Sequence, residues 1–385
     1  MRKRLNRVVA DLATPPIPEV QGWAAAYGGA YGPMIQLSQA VPGYAPHPDL
    51  LAWTAEAAHN TDAAGYGLIE GEPELVEAYA GHVSELYASP IAPEEVQITA
   101  GCNQAFYVAL MSIANRGDEV VLTNPNFFNH EATLRLQGLN VRMVECAAGN
   151  GFLPQPEDIA EAIGPKTAAV VLCSPNNPTG AVYPAELLRE IYRMCANTQT
   201  WLVIDETYRD FLAPDAAAPH DLFAEPGWRD TFIQLYSFSK SFCIPGHRVG
   251  GLIAAPALVS ETVKVMDNLQ ICAPRPAQLA VAKALPALAG WRADNAHEMQ
   301  HRANAFRAVL EHLPRWKLRA IGAYFAYVEH PYAGVSAREV AKELAEVKGI
   351  VTLPGTYFGS GQEAYLRFAF ANADVETIGF LRERL

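Results

Sequence analysis

The sequence predicts an α/β protein, with a seven-stranded, mostly parallel sheet in a large domain and a smaller α+β domain beside it. Three observations carry this. Between about residues 95 and 255, short apolar runs rich in β-branched residues alternate with helical patterns. Most of those runs are separated by enough chain for a crossover helix, which parallel strands require. Beyond Pro286 the pattern changes to a long amphipathic helix followed by strand-like and helical segments.

In chain order the strands are "EVQITAG", "DEVVLTNP", "NVRMVEC", "AAVVLCSP", "TWLVIDE", "TFIQLY" and "VGGLIAA". Only residues 237 to 248 lie between the last two, barely a crossover's worth and without an apolar stripe, so that pair is predicted antiparallel. Further on, Met299, Ala303, Phe306, Leu310 and Leu313 mark one face of a long helix. Strand-like "AYFAYVE", amphipathic "SAREVAKELAEV" and strand-like "YLRFAFA" follow. The expected division is a large domain of residues 39–286 and a small one made of residues 1–38 and 287–385.

Composition removes several function classes. Half of the 385 residues are hydrophobic, enough for a sizeable core. The net charge is 29 − 41 = −12, and the cations are scattered apart from Arg2, Lys3, Arg4 and Arg7, so nucleic acid is not an expected partner. The basic start resembles a signal peptide only until Asp11 and "TPPIP" interrupt it, which predicts a cytoplasmic protein. No uncharged apolar run approaches the roughly 18 residues of a membrane span. The six cysteines lie far apart without a CxxC pair, which suits buried thiols better than disulfides or a metal site.

In an open α/β sheet, ligands gather beyond the carboxyl ends of the strands. There the chain places "TAGCNQ", whose small residues Gly101 and Cys102 lead into a helix at Asn103 with free N–H groups. Later strand ends carry "SPNNPTG", "IDETY" and "SFSK", with Arg248 following. Asp205 at the end of an apolar strand needs a cation or several donors facing it. Lys240 in low polarity near positive charge would have a depressed pKa and act as a neutral, nucleophilic amine. An amine, a carboxylate, a tyrosine, an asparagine and an anion site together match the aldehyde, ring nitrogen, phenolic oxygen and phosphate of pyridoxal 5'-phosphate.

These motifs resemble the fold-type I pyridoxal-phosphate enzymes, specifically the class I/II aminotransferases. The resemblance runs from "LSQAVPGY" and "YGLIEGEPELVEAYAGHV" through "SPNNPTG" and "SFSKSFCIPGHRVGG" to "PGTYFGSGQEAYLRFAFA", nearly the whole chain and in one order. It implies that Lys240 binds the cofactor's aldehyde and then moves the substrate proton, and that Asp205 keeps the ring nitrogen protonated. Tyr208 and Asn177 would bond the phenolic oxygen. Ser237, Arg248 and the N–H groups of Cys102 and Asn103 would hold the phosphate. Ser239 ranks below Ser237, because alternation along an extended segment aligns the two hydroxyls only approximately. Phe127 would stack on the ring while Phe128 points elsewhere. Arg367 would grip the substrate's α-carboxylate, with the backbone at Ala40, often a glycine in the family, beside it. Tyr66 would reach the phosphate of a partner subunit's cofactor, making the active unit a homodimer. Each assignment has a plainer competitor, such as a solvated lysine, a capping aspartate or core aromatics. His130 is read as a core or surface histidine and Asn176 as a turn residue.

The implied activity is transfer of an amino group between an amino acid and a 2-oxo acid. A lyase or cyclase working through the same Cα carbanion stays open as an alternative. A non-catalytic ligand sensor is disfavoured, since no helix-turn-helix pattern is present. The second arginine that dicarboxylate-specific relatives often use falls near Leu269, although Arg275 lies nearby and could substitute, so a simple aspartate preference is not expected. Trp23, Tyr27 and Tyr31, four residues apart, could wall the substrate or simply pack a helix.

Overall fold

A computed structural model describes residues 5–213 and 218–385, so Arg2, Lys3 and Arg4 lie outside the described residues. The predicted strands form as β1 (Val96–Thr99), β2 (Glu119–Asn124), β3 (Asn140–Glu145), β4 (Thr167–Cys173), β5 (Trp201–Asp205), β6 (Phe232–Ser237) and β7 (Gly250–Ile253). They make one sheet in the order β1-β7-β6-β5-β4-β2-β3. All neighbours are parallel except β7, which runs antiparallel to both β6 and β1. Between β6 and β7 the chain fits only a one-turn helix, Phe238–Ser241, and a tight turn, Pro245–His247, too little to cross over the sheet.

The central strands read as continuous apolar runs because both of their faces are covered. Val170 and Leu172 of β4, Leu202 and Ile204 of β5 face one core. Ala169, Val171 and Val203 face the other, where helix α1 (Cys102–Ile113) packs through Ala105, Phe106 and Ala109. Because β4, β5 and β6 run parallel, their last residues lie at one edge, and that edge carries the polar groups.

The C-terminal part holds helix α2 (Ala289–Glu311) and an antiparallel sheet of β8 (Lys317–Gly322), β9 (Phe325–Glu329), β10 (Leu353–Pro354) and β11 (Tyr365–Phe368), ordered β10-β11-β9-β8. As expected, Met299, Ala303, Phe306 and Leu310 are buried along one face of α2, with Leu313 partly so. Ile35 and Leu37 join Phe306, Val340 and Leu366 in the same core, and Ile35–Gln36 pairs in parallel with Ile350–Val351. The amphipathic segment becomes helix Ala337–Glu343, started by a reciprocal cap between Ser336 and Glu339. Strand β8 escaped the sequence reading because its side chains are only half covered, with Lys317 and Arg319 on its outer side paired to Glu329.

Candidate active site

At the carboxyl edge of β4, β5 and β6 lies a cavity of about 360 Å³. Of the residues to which the resemblance gives a role at the cofactor or the substrate carboxylate, all but Gly101 and Tyr66 line it: Ala40, Cys102, Asn103, Phe127, Asn177 and Asp205 on one part, and Tyr208, Ser237, Ser239, Lys240, Arg248 and Arg367 on the rest.

Lys240 is the third residue of the single-turn helix that follows β6, and its ammonium donates to the Ala40 carbonyl at 2.5 Å. Burial, reinforced by the positive charges of Arg248 and Arg367, pushes its pKa down to about 8. Asp205 ends β5. Burial would raise its pKa, but a hydrogen bond and charge from His130 at 3.1 Å, with the Thr207 N–H at 3.0 Å, outweigh that and hold the carboxyl below its ordinary range.

His130 is a satisfied core histidine and not a surface one. It is buried, lies against Phe106 at 4.4 Å between ring centres, and does not line the cavity itself but bonds Asp205, which does. The signal existed: a buried aspartate at a strand end demands a donor, and His130 lies in the first turn of the helix after β2, two strands from β5 at the same carboxyl edge.

Helix α1 begins at the cavity with Gly101 as its cap and no side chain bonding its first N–H groups, so those of Cys102 and Asn103 remain available. Gly101 sits behind them at φ +88°, where a Cβ would fall under 3.0 Å from the Arg248 guanidinium. Arg248 in turn donates to the Ala100 carbonyl at 3.1 Å and the Pro245 carbonyl at 2.9 Å. Ser237 caps the helix by accepting from the Ser239 N–H at 3.3 Å. The Ser239 hydroxyl is buried without a partner. Its lower ranking assumed an extended segment, whereas the chain turns helical at Phe238 and brings both hydroxyls to the cavity.

Arg367 of β11 is buried. One terminal nitrogen donates to Asn177 Oδ1 at 3.0 Å, the other to the Ser38 carbonyl, and Nε has no partner. The guanidinium lies between the rings of Phe325 and Phe358, at 4.8 and 5.1 Å from their centres. Burial pushes its pKa down to about 10, which still leaves it charged near neutrality. Tyr208 packs between Tyr324 and Phe325, and burial drives its hydroxyl pKa upward. Asn176 does serve the turn, accepting from the Thr179 N–H and hydroxyl.

One expectation does not hold, that Phe128 points elsewhere. Phe128 also lines the cavity, because the backbone turns into a helix at that residue and both neighbouring rings face the same side. Trp23, Tyr27 and Tyr31 are absent from the lining. Trp23 packs against the core that holds Phe306 and Leu366, and the Tyr27 hydroxyl accepts from the Tyr31 N–H at 2.8 Å. Helix Pro16–Ala24, which contains Trp23 but ends before Tyr27 and Tyr31, sends Ile17 to the cavity, which the sequence reading missed along with Val41, Asn129 and Leu353. Arg275 is held within its own chain, by Glu72 at 2.6 Å and by the carbonyls of Asp62 and Gly65. Tyr66 is 79% exposed and lies outside the cavity of its own chain.

The residues present fit pyridoxal 5'-phosphate. The unpaired Ser239 hydroxyl, the open start of α1 and Arg248 suit a phosphate, and the paired Asp205 carboxylate suits a ring N–H. The comparisons with known proteins agree. The chain belongs to the family "Aminotransferase class I and II", whose model matches residues 32–385. It is 30% identical to an aspartate aminotransferase of Pyrococcus horikoshii, over 80% of this chain and 79% of that one. It is 27% identical to the aromatic aminotransferase ISS1 of Arabidopsis thaliana, over 87% and 84% of the two chains. Among solved structures, the aspartate aminotransferase of Thermus thermophilus with maleate superposes at a TM-score of 0.90, with 25% identity over 100% of this chain and 99% of that one.

Class I/II aminotransferases of this fold use pyridoxal 5'-phosphate, and the chain is an aminotransferase acting between an amino acid and a 2-oxo acid. No helix among the described residues is long and apolar enough to cross a membrane. None of the described residues forms a cluster of metal ligands.

Proposed function

We propose that Lys240 is the covalent anchor of the cofactor and the proton carrier of the reaction. The observation that carries this is a single lysine at a pKa of about 8 sharing one cavity with Asp205, Arg248 and Arg367. An amine of that pKa exchanges protons near neutral pH without a large penalty in either direction. When bound, the cofactor supplies an electron sink for the substrate's Cα electron pair. Asp205, fixed by His130, holds a proton on the ring nitrogen. Tyr208 and Asn177 bond the phenolic oxygen. Ser237, Ser239, Arg248 and the N–H groups of Cys102 and Asn103 grip the phosphate, with Gly101 giving Arg248 room. Phe127 covers the ring face. Arg367, with Nε unpaired, takes the substrate carboxylate beside Ala40 and Asn177, and the Phe325 and Phe358 rings on either side exclude water from it.

The reading also covers assembly and place. Tyr66 stands exposed with Leu68 and Leu269, in keeping with a homodimer whose subunits exchange that tyrosine. Six free cysteines are in keeping with the cytoplasm. The division into residues 39–286 and 1–38 with 287–385 is supported by Ile35 and Leu37 packing with Phe306 and Leu366.

The test is spectroscopic. Purified protein mixed with the cofactor should turn yellow, and borohydride should shift its absorbance and fix the cofactor to the peptide containing Lys240. The Lys240→Ala protein should bind the cofactor reversibly and lose the fixation. Fixation at another lysine would overturn the assignment.

A further inference from the structure

Given Arg367 as the carboxylate site, the rest of the cavity defines what the substrate's side chain touches. Among the described residues four charged side chains line it, Asp205, Lys240, Arg248 and Arg367. Each already has a role, so this chain brings no further cation to answer a second substrate carboxylate. The other part of the wall is apolar. Ile17, Phe128 and Leu353 line it and belong to one cluster with Val20, Val351 and Phe358.

Phe358 ties that wall to the carboxylate site. Its ring centre is 5.1 Å from the Arg367 guanidinium and 5.7 Å from the ring of Phe128. A side chain leaving Cα, one bond from the carboxylate on Arg367, therefore meets this cluster within the width of one ring. A methylene group gains there by leaving water, whereas an ionised carboxylate loses its hydration without a partner charge. Asn129 and Gln39, two uncharged polar residues of the lining without a role at the cofactor, bring no compensating charge.

We propose that the preferred amino donor carries an apolar side chain, aliphatic or aromatic, seated on Ile17, Phe128 and Leu353, and that acidic donors are disfavoured at this wall. This rests on the aminotransferase site assigned above, and it departs from the aspartate named in several relatives.

The experiment uses the holoenzyme without an acceptor. Leucine, methionine, phenylalanine, arginine, aspartate and glutamate are each mixed with it, conversion of the cofactor from its pyridoxal to its pyridoxamine form is followed by absorbance, and the 2-oxo acid is quantified. At least one of the three apolar donors should react with a second-order constant at least ten times that of every charged donor; differences of about 10- to 200-fold are what one or two apolar contacts supply. Ile17→Arg should lower the apolar constant and raise the aspartate constant, narrowing their ratio at least tenfold, while the absorbance of the resting holoenzyme stays unchanged. A charged donor that matches or exceeds the apolar ones overturns the substrate inference and leaves the aminotransferase site standing. So does an unchanged ratio in Ile17→Arg. If no donor converts the cofactor, the site assignment fails and the inference falls with it.

Discussion

His130 Nε2 lies 3.1 Å from Asp205 Oδ2, with both side chains buried at the carboxyl end of β5. A carboxylate so placed is costly unless its charge is answered, and here the histidine and the Thr207 N–H answer it. Replacing His130 by phenylalanine keeps the packing against Phe106 and removes the donor. Turnover should fall about ten- to a hundredfold, about 1.4 to 2.8 kcal/mol in the barrier, while substrate KM changes little. Acid stability gives an independent readout. Asp205 has a depressed pKa, so its contribution is present above the ordinary value of about 3.9 and is lost as pH falls through the lower folded value. The variant, with a higher Asp205 pKa, should lose structure at a higher pH in a circular-dichroism acid titration, and coincident curves would count against the pairing.

Lys240 gives the same direction in a higher pH window. Its folded pKa of about 8 lies below the ordinary value of about 10.4, so the unfolded chain binds more protons between those values and stability rises with pH there. In cofactor-free protein, Tm measured from pH 8 to 10 should climb relative to Lys240→Met, which lacks the group. The rate of cofactor binding should also rise about tenfold per pH unit below about 8, because only the neutral amine attacks an aldehyde. A rate independent of pH between 6 and 8 would contradict the lowered pKa.

Gly101→Ala tests the cradle behind the phosphate site. At φ +88° an alanine is strained, and its Cβ would fall under 3.0 Å from the Arg248 guanidinium, which must then leave the Ala100 carbonyl. The strain alone costs about 1–3 kcal/mol. Affinity for the cofactor should drop tenfold or more, measured by fluorescence titration, and inorganic phosphate should compete less well with it. Equal affinity in the variant would remove Arg248 from the phosphate site.

The sheet was legible because its central strands are covered on both faces and so read as unbroken apolar runs, ended by groups that only a ligand could satisfy. "TWLVIDE" announces both β5 and Asp205. Likewise the brevity of residues 237 to 248 forces β7 to run backwards. What stayed hidden depends on pairing between distant segments. Ile17 reaches the cavity because helix Pro16–Ala24 docks on Val351 and Leu353, more than 300 positions away, and no local pattern encodes that contact. Arg275 stood by position only as a substitute for the second substrate arginine whose place falls near Leu269. Its actual partner, Glu72, belongs to a turn whose fold periodicity does not reveal.

That turn bears on assembly. Arg275 bonds both oxygens of Glu72, at 2.6 and 3.1 Å, and caps the Gly65 carbonyl, so the segment that presents Tyr66 is held while Tyr66 itself is 79% exposed. If the tyrosine serves the neighbouring subunit, damage to it and damage to Lys240 should complement each other. Tyr66→Ala and Lys240→Ala proteins should each be weakly active or inactive alone. Unfolded and refolded together in equal amounts, they should recover about a quarter of wild-type activity, since about half of the dimers are mixed and each mixed dimer has one intact site of two. Adding Arg275→Ala to the Lys240→Ala partner, whose Tyr66 completes that site, should lower the recovered activity by releasing the turn, without changing the dimer content measured by light scattering. Recovery no greater than the sum of the separate proteins would place Tyr66 outside the shared site.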